Sequence, residues 1–151
     1  MTSLASLLAG QKRYLEAENL MREVLEVQRR TLGLEHAHTL DTLGNLGSLL
    51  SMEKRYPEAE KVLRESLAGY VRVLGPGHPS TVYAASNLGH ALALEGKRDE
   101  AFTSLRFAVE HGLPSEARLR METDDDLKSL RSDPRFAALI ALSRQRTAPV
   151  P

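Results

Sequence analysis

The chain has 151 residues, 42% of them hydrophobic and 26% charged, the proportions of one soluble domain with a core of ordinary size. Twenty Lys and Arg balance twenty Asp and Glu, so no net field gathers nucleic acid, an anionic membrane or a strongly acidic substrate; with no Cys there is no disulfide, thiolate zinc site or Cys nucleophile. No stretch approaches the run of about eighteen apolar residues that a membrane helix needs, and "MTSLASLLAGQKR" lacks the form of a signal peptide, so the expected location is cytoplasmic.

In chain order, "YLEAENLM" (14–21), "YPEAEKVL" (56–63) and "RDEAFTSL" (98–105) say nearly the same thing at intervals of forty-two residues. Leu4, Leu46 and Leu88 correspond, as do Ala17, Ala59 and Ala101, and Glu16, Glu58 and Glu100; Arg13, Arg55 and Lys97 keep a positive charge. Between these blocks Leu32-Gly33 recurs as Leu74-Gly75, His36 as His78, Thr39 as Thr81 and Asn45 as Asn87. A further step lands on Glu116-Ala117, so the last forty residues are not another copy.

Apolar positions within each unit follow three- and four-residue steps, which predicts helices near 5–15, 14–32, 39–53, 56–74, 81–95 and 98–111, then 114–121 and 134–144, and no strand. In the second unit the stripes are Leu43, Leu46, Gly47, Leu50 and then Tyr56, Ala59, Leu63, Leu67, Tyr70, Leu74. The polar turn Glu53-Lys54-Arg55 separates them, and Pro57 falls in the first turn of the new helix. Ala5, Gly47 and Gly89 leave room for a partner helix and Ala59 answers them; a large side chain at Ala59 should cost about 1–3 kcal/mol by overpacking. In "LGPGHPST" (74–81) Gly75 suits a left-handed helix end, Pro76 stops continuation, and Pro79-Ser80-Thr81 opens the next helix. Such hairpins bury their apolar faces by stacking, which leaves a groove lined by the first helices.

At these residues a family emerges: "NLGSLLSMEKRYPEAEKVLRESLAGYVRVLGPGHPST" resembles a tetratricopeptide repeat of the forty-two-residue type found in kinesin light chains and many bacterial proteins. The resemblance covers residues 1 to about 112 and implies an all-α, right-handed solenoid of stacked antiparallel helix pairs. Its units would be 1–38, 39–80 and 81–112, with capping helices over 113–145 and a frayed tail at 146–151. Lys54 stands where the pattern has Gly, Gly96 keeps it, and Arg98 replaces the usual Tyr. The first unit begins inside its first helix. In "DPRF" Asp133 can cap and Pro134 takes the first turn, so that Phe136, Leu139, Ile140 and Leu142 would pack on the third hairpin.

Chemistry is sparse. His36 and His78 recur at the repeat period and, with His38, read as loop residues rather than a ligand set of three or four convergent donors. "ETDDD" (122–126) lacks the alternation and Gly of a calcium loop and reads as a helix start followed by solvated charge. Glu16, Glu58 and Glu100 open second helices, where the dipole favours them, and no base role follows. Tyr14, Tyr56, Tyr70 and Tyr83 are too widely spaced for a base-stacking platform. The expectation is no enzyme, no cofactor, no metal, no nucleic acid and no membrane.

What remains is binding of a protein or peptide. The resemblance implies that first-helix faces line the groove: Asp41, Gly44, Asn45, Ser48, Ser51 and Met52 in unit two, and Tyr83, Ser86, Asn87, His90, Ala93 and Leu94 in unit three. Peptide-binding relatives commonly use an Asn at the place of Asn45 and Asn87 to bond the ligand backbone, a role that suits an amide able to donate and accept together. The alternative is that both amides only support packing. The basic residues of a carboxylate clamp are missing, which favours an uncharged or mildly basic extended segment, with His90 as a pH handle that could admit an acidic one when protonated. Two other functions compete with this one. One is self-association through the shortened N-terminal hairpin, if Tyr14, Met21 and Leu25 are left uncovered. The other is the regulatory C-terminal part of a larger enzyme, such as a bacterial signalling kinase.

Overall fold

The structure is a computed structural model that describes residues 13–145, so most of the helix predicted near 5–15 and the tail at 146–151 lie outside the described residues. Seven α-helices and one 3-10 turn follow in order: α1 (Tyr14–Thr31), α2 (Ala37–Met52), α3 (Tyr56–Leu74), α4 (Pro79–Glu95), α5 (Arg98–Glu110), α6 (Ser115–Thr123), the turn (Asp125–Leu130) and α7 (Pro134–Gln145). Among the described residues there is no strand. The chain divides into two compact units, Met1–Val73 and Leu74–Pro151.

The period of forty-two has a local cause at each helix start. His36 and His78 are N-caps whose Nδ1 atoms accept the N–H groups of His38 and Ser80, both at 3.2 Å. Thr39 and Thr81 donate their hydroxyls back to the carbonyls of Gly33 and Gly75 at 2.8 and 2.7 Å. Because His rather than a later residue caps, α2 and α4 begin two residues earlier than the spacing predicts. Gly96 (φ 87°) and Lys54 (φ 62°) end first helices in the same left-handed geometry, so the Lys that replaces Gly there carries about 1–2 kcal/mol of backbone cost.

In the first unit α2 and α3 form an antiparallel hairpin: Leu40 lies over Gly69, and Leu63 lies over Gly47. Leu40, Leu43, Leu46, Leu50 and Leu63 are at most 1% exposed. α1 packs on α2. Met21 and Leu25 are buried, contrary to the expectation of an uncovered N-terminal edge; the exposed apolar residues of α1 are Leu15 and Val27, followed by Leu32. Glu18 is also buried, and Arg55 and Arg22 each hold it at 2.7 Å. Burial pushes the Glu18 carboxyl up, but the bonds from Arg55 and Arg22 outweigh it and leave the group below its usual range. Arg13 grips Glu16 and Arg55 grips Glu58 by the same three-residue fork, which accounts for the recurrence of those acids.

In the second unit α4 and α5 are joined through Gly96-Lys97 and press together where Leu105 lies over Gly89. The 3-10 turn, which the spacing does not predict, packs on α4; Ser129 donates to the Ala93 carbonyl, and Leu127 and Leu130 are fully buried. α7 packs on α5 with Phe136, Leu139 and Ile140 inward, whereas Leu142 is only half-buried. Arg135 bonds Asp99 at 2.6 Å while its guanidinium lies 4.4 Å from the Phe102 ring centre. Buried Arg118 of α6 donates to the Ser143 carbonyl, placing a cation at the C-terminal end of α7.

α7 carries a pH dependence. Asp133 accepts the Arg135 side chain at 2.7 Å and its backbone N–H at 3.0 Å, and these bonds pull its pKa from 3.8 down to about 2. A depressed acid stabilises the fold above its unfolded pKa, and this contribution is lost as pH falls from 3.8 through about 2. Melting temperature followed over that range should fall more steeply in the native chain than in Asp133→Asn, which lacks the titrating group.

Candidate functional site

The groove residues expected on α2 differ in what they offer. Asn45 and Met52 are exposed, Met52 by 62%, whereas Ser48 is half-buried and gives its hydroxyl to the Gly44 carbonyl at 3.1 Å. Asp41 is exposed and accepts the Tyr70 hydroxyl; burial first, and this carboxylate second, push the Tyr70 pKa up. Asp41 and Asn45 also border a cleft of about 740 Å³ between α1 and α2, together with His38 and with Val24, Val27 and Gln28 of α1. The expected site does not include this α1 wall. Its signal in the sequence is the apolar pair Val24 and Val27, which lies off the Ala17, Met21, Leu25 stripe.

On α4, Tyr83 (42% exposed) and Asn87 face solvent, but Ser86 is buried and presents no hydroxyl to a ligand. His90 is half-buried, with Nδ1 2.7 Å from the Ser86 carbonyl and Nε2 3.3 Å from Asp124 Oδ2. With the Nδ1 proton given to that carbonyl, Nε2 attracts the carboxylate only as an imidazolium. Asp126 lies close enough that burial, then the Asp124 charge, raise its own pKa while His90 lowers it. The expectation of a free His90 able to welcome an acidic partner is therefore corrected: the tail already supplies the acid.

Asn45 and Asn87 occupy equivalent positions, and neither side-chain amide bonds another described residue. Asn45 is exposed together with Asp41 and Met52 of α2, and Asn87 together with Tyr83 of α4. Among the described residues there is no group of three or more His, Asp or Glu that could hold a metal, and no helix long and apolar enough to cross a membrane.

The tetratricopeptide repeat profile matches residues 1–70 and again 52–111. The chain belongs to that family. Solved structures similar to this tetratricopeptide repeat chain include a Podosopora anserina protein described as a kinesin light chain with nearly identical TPR-like repeats. It is 23% identical over 95% of this chain and 72% of that one, with a TM-score of 0.73. A point variant of the same protein gives 23% identity, 95% and 71% coverage and a TM-score of 0.74. BtubC (BKLC) from P. vanneervenii is 16% identical over 98% of this chain and 64% of that one, with a TM-score of 0.71. These likenesses establish the all-α helical-repeat class. No curated protein matches the sequence. Tetratricopeptide repeats are non-catalytic scaffolds for protein contacts as a rule, because stacked hairpins expose long faces and few convergent reactive groups.

Proposed function

We propose that this chain is a protein-interaction module, not an enzyme, acting in the cytoplasm with no cofactor. Its exposed first-helix faces each take a stretch of an uncharged or mildly basic partner. On α2 the contact uses Asn45, Ser48 and Met52 beside Asp41; on α4 it uses Tyr83 and Asn87. The residues after Gly112 serve as the cap that spares α5 from exposing an apolar face. The observation that supports this reading is the pair of exposed amides at one repeat position, neither of which bonds another described residue. Such an amide donates and accepts along an extended backbone, while Met52 and Tyr83 supply apolar contact.

A partner recovered by pull-down should bind Asn45→Ala and Asn87→Ala each about five- to tenfold more weakly, the loss of one or two neutral hydrogen bonds at about 0.5–1.5 kcal/mol apiece. Titration calorimetry with unchanged melting is the check. Equal affinity in both variants would place the contact elsewhere.

A further inference from the structure

We propose that His90 and Asp124 form a pH-sensitive latch, which fastens the 3-10 turn to α4 when the imidazole is protonated and loosens it when the proton leaves. The ring stands between two acceptors. Its Nδ1 lies 2.7 Å from the Ser86 carbonyl and its Nε2 lies 3.3 Å from Asp124 Oδ2. A neutral imidazole has one N–H and one lone pair, so it serves one acceptor and turns its lone pair on the other. The imidazolium donates to both. The repeat separates the two bonds. Ser48 holds the same place in the preceding unit and makes the backward bond, its hydroxyl donating to the Gly44 carbonyl. Histidine at this place keeps that bond and adds a second nitrogen that reaches the turn.

The turn is built to receive it. Asp124 is its N-cap, accepting the Asp126 N–H on Oδ1 at 3.0 Å and leaving Oδ2 for His90. Ser129, near the other end of the turn, donates to the Ala93 carbonyl of α4. Asp125 and Asp126 crowd behind Asp124: burial first, and the Asp124 charge second, raise the Asp126 carboxyl, while His90 opposes them. Arg131 donates to the Asp124 backbone carbonyl at 2.6 Å. The other charges nearby on packed elements have partners of their own: Glu95 of α4 with Lys97, Asp99 of α5 with Arg135, Arg106 with Glu110, and Glu122 of α6 with Arg144. Loss of the imidazole proton therefore removes one bond and leaves the repulsion among three carboxylates on the turn less compensated. The latch holds while the imidazole is charged and Asp124 is ionised, and it is lost as pH rises through the imidazole titration. It uses neither Tyr83 nor Asn87, so it stands apart from the contact proposed above.

The Leu127 N–H, which donates to the Asp124 carbonyl at 3.2 Å, reports opening of the turn. Its hydrogen exchange is measured in the native chain, His90→Gln, Asp124→Asn and the double variant, at about pH 5.5 and about pH 8, on either side of the ordinary imidazole pKa of about 6.5. Protection factors divide out the intrinsic pH dependence of exchange, and Asp124→Asn retains a side-chain oxygen for the Asp126 N–H. At the lower pH the native chain should be about threefold or more better protected than either single variant, and the double variant should match the single ones. At the higher pH that advantage should vanish. The proposal is overturned if the native advantage is equal at both pH values or grows at the higher one. It is equally overturned if His90→Gln lowers protection as much in the Asp124→Asn background as in the native chain. Should His90→Gln fail to fold, Asp124→Asn decides alone, at a side chain 32% exposed: unaltered protection at the lower pH overturns the latch.

Discussion

Phe136→Ala is expected to lower stability by about 3–5 kcal/mol, the cost of a large aromatic lost from a site that cannot collapse. Phe136 is 7% exposed on the inner face of α7, next to Leu139 and Ile140, and α7 packs on α5. The polar contacts of the same helix cannot substitute for it. Arg135 and Asp99 are solvent-exposed, and an ion pair of that kind contributes about 0–1 kcal/mol. In a chain of this size the drop corresponds to roughly 10 °C in melting temperature. Circular dichroism melts of native and variant chains, repeated at high salt, separate the two contributions: salt should shift both chains little, and the substitution should shift melting greatly. An unchanged melt would show that the tail does not depend on apolar packing.

Much of this was legible because the sequence repeats itself. A Gly facing a Leu forty-two residues apart in two copies, as Gly47 with Leu63 and Gly89 with Leu105, is a packing rule written twice. The second copy removes the ambiguity that a single apolar stripe leaves between a buried helix and a surface one. The caps were harder to see. Sequence placed the helix starts at Thr39 and Thr81, whereas His36 and His78 cap and the threonines reach backward to glycine carbonyls. Histidine is an uncommon cap, so its propensity did not point there.

The non-repeating tail shows where such reading stops. "DDDLKSL" has only two apolar residues, Leu127 and Leu130, three apart, too few to mark a period, yet both are fully buried against the second unit. The turn that buries them brings Asp124 to His90, a contact between residues thirty-four apart that no local pattern encodes. Ser86 illustrates the converse. The resemblance puts it on the groove face beside Asn87, but one position on a helix turns a side chain by about 100°, and that is enough to bury it. A face inferred from family usage therefore says nothing about the burial of each residue on it, which depends on what packs against that position.

The close approach of α2 and α3 yields the second large effect. Leu63→Ala should cost about 2–5 kcal/mol, since the side chain is 1% exposed and fills the space over Gly47. Gly47→Ala alone should also destabilise, by about 1–3 kcal/mol, even though Ala is the better helix former by about 0.8–1.0 kcal/mol. A Cβ there would stand 2.6 Å from Leu63 Cδ2, and the neighbouring Cγ lies deep in the side chain, where no flexible end can swing aside. Together the two substitutions should partly cancel, because the new methyl enters the cavity that the lost isobutyl group leaves. The double variant should then be no less stable than Leu63→Ala, a coupling of about 1–3 kcal/mol in a urea-denaturation cycle. Simple additivity within about 0.5 kcal/mol would mean that the glycine is not what sets the spacing of this hairpin, and that Ala59, fully buried on the facing helix, sets it instead.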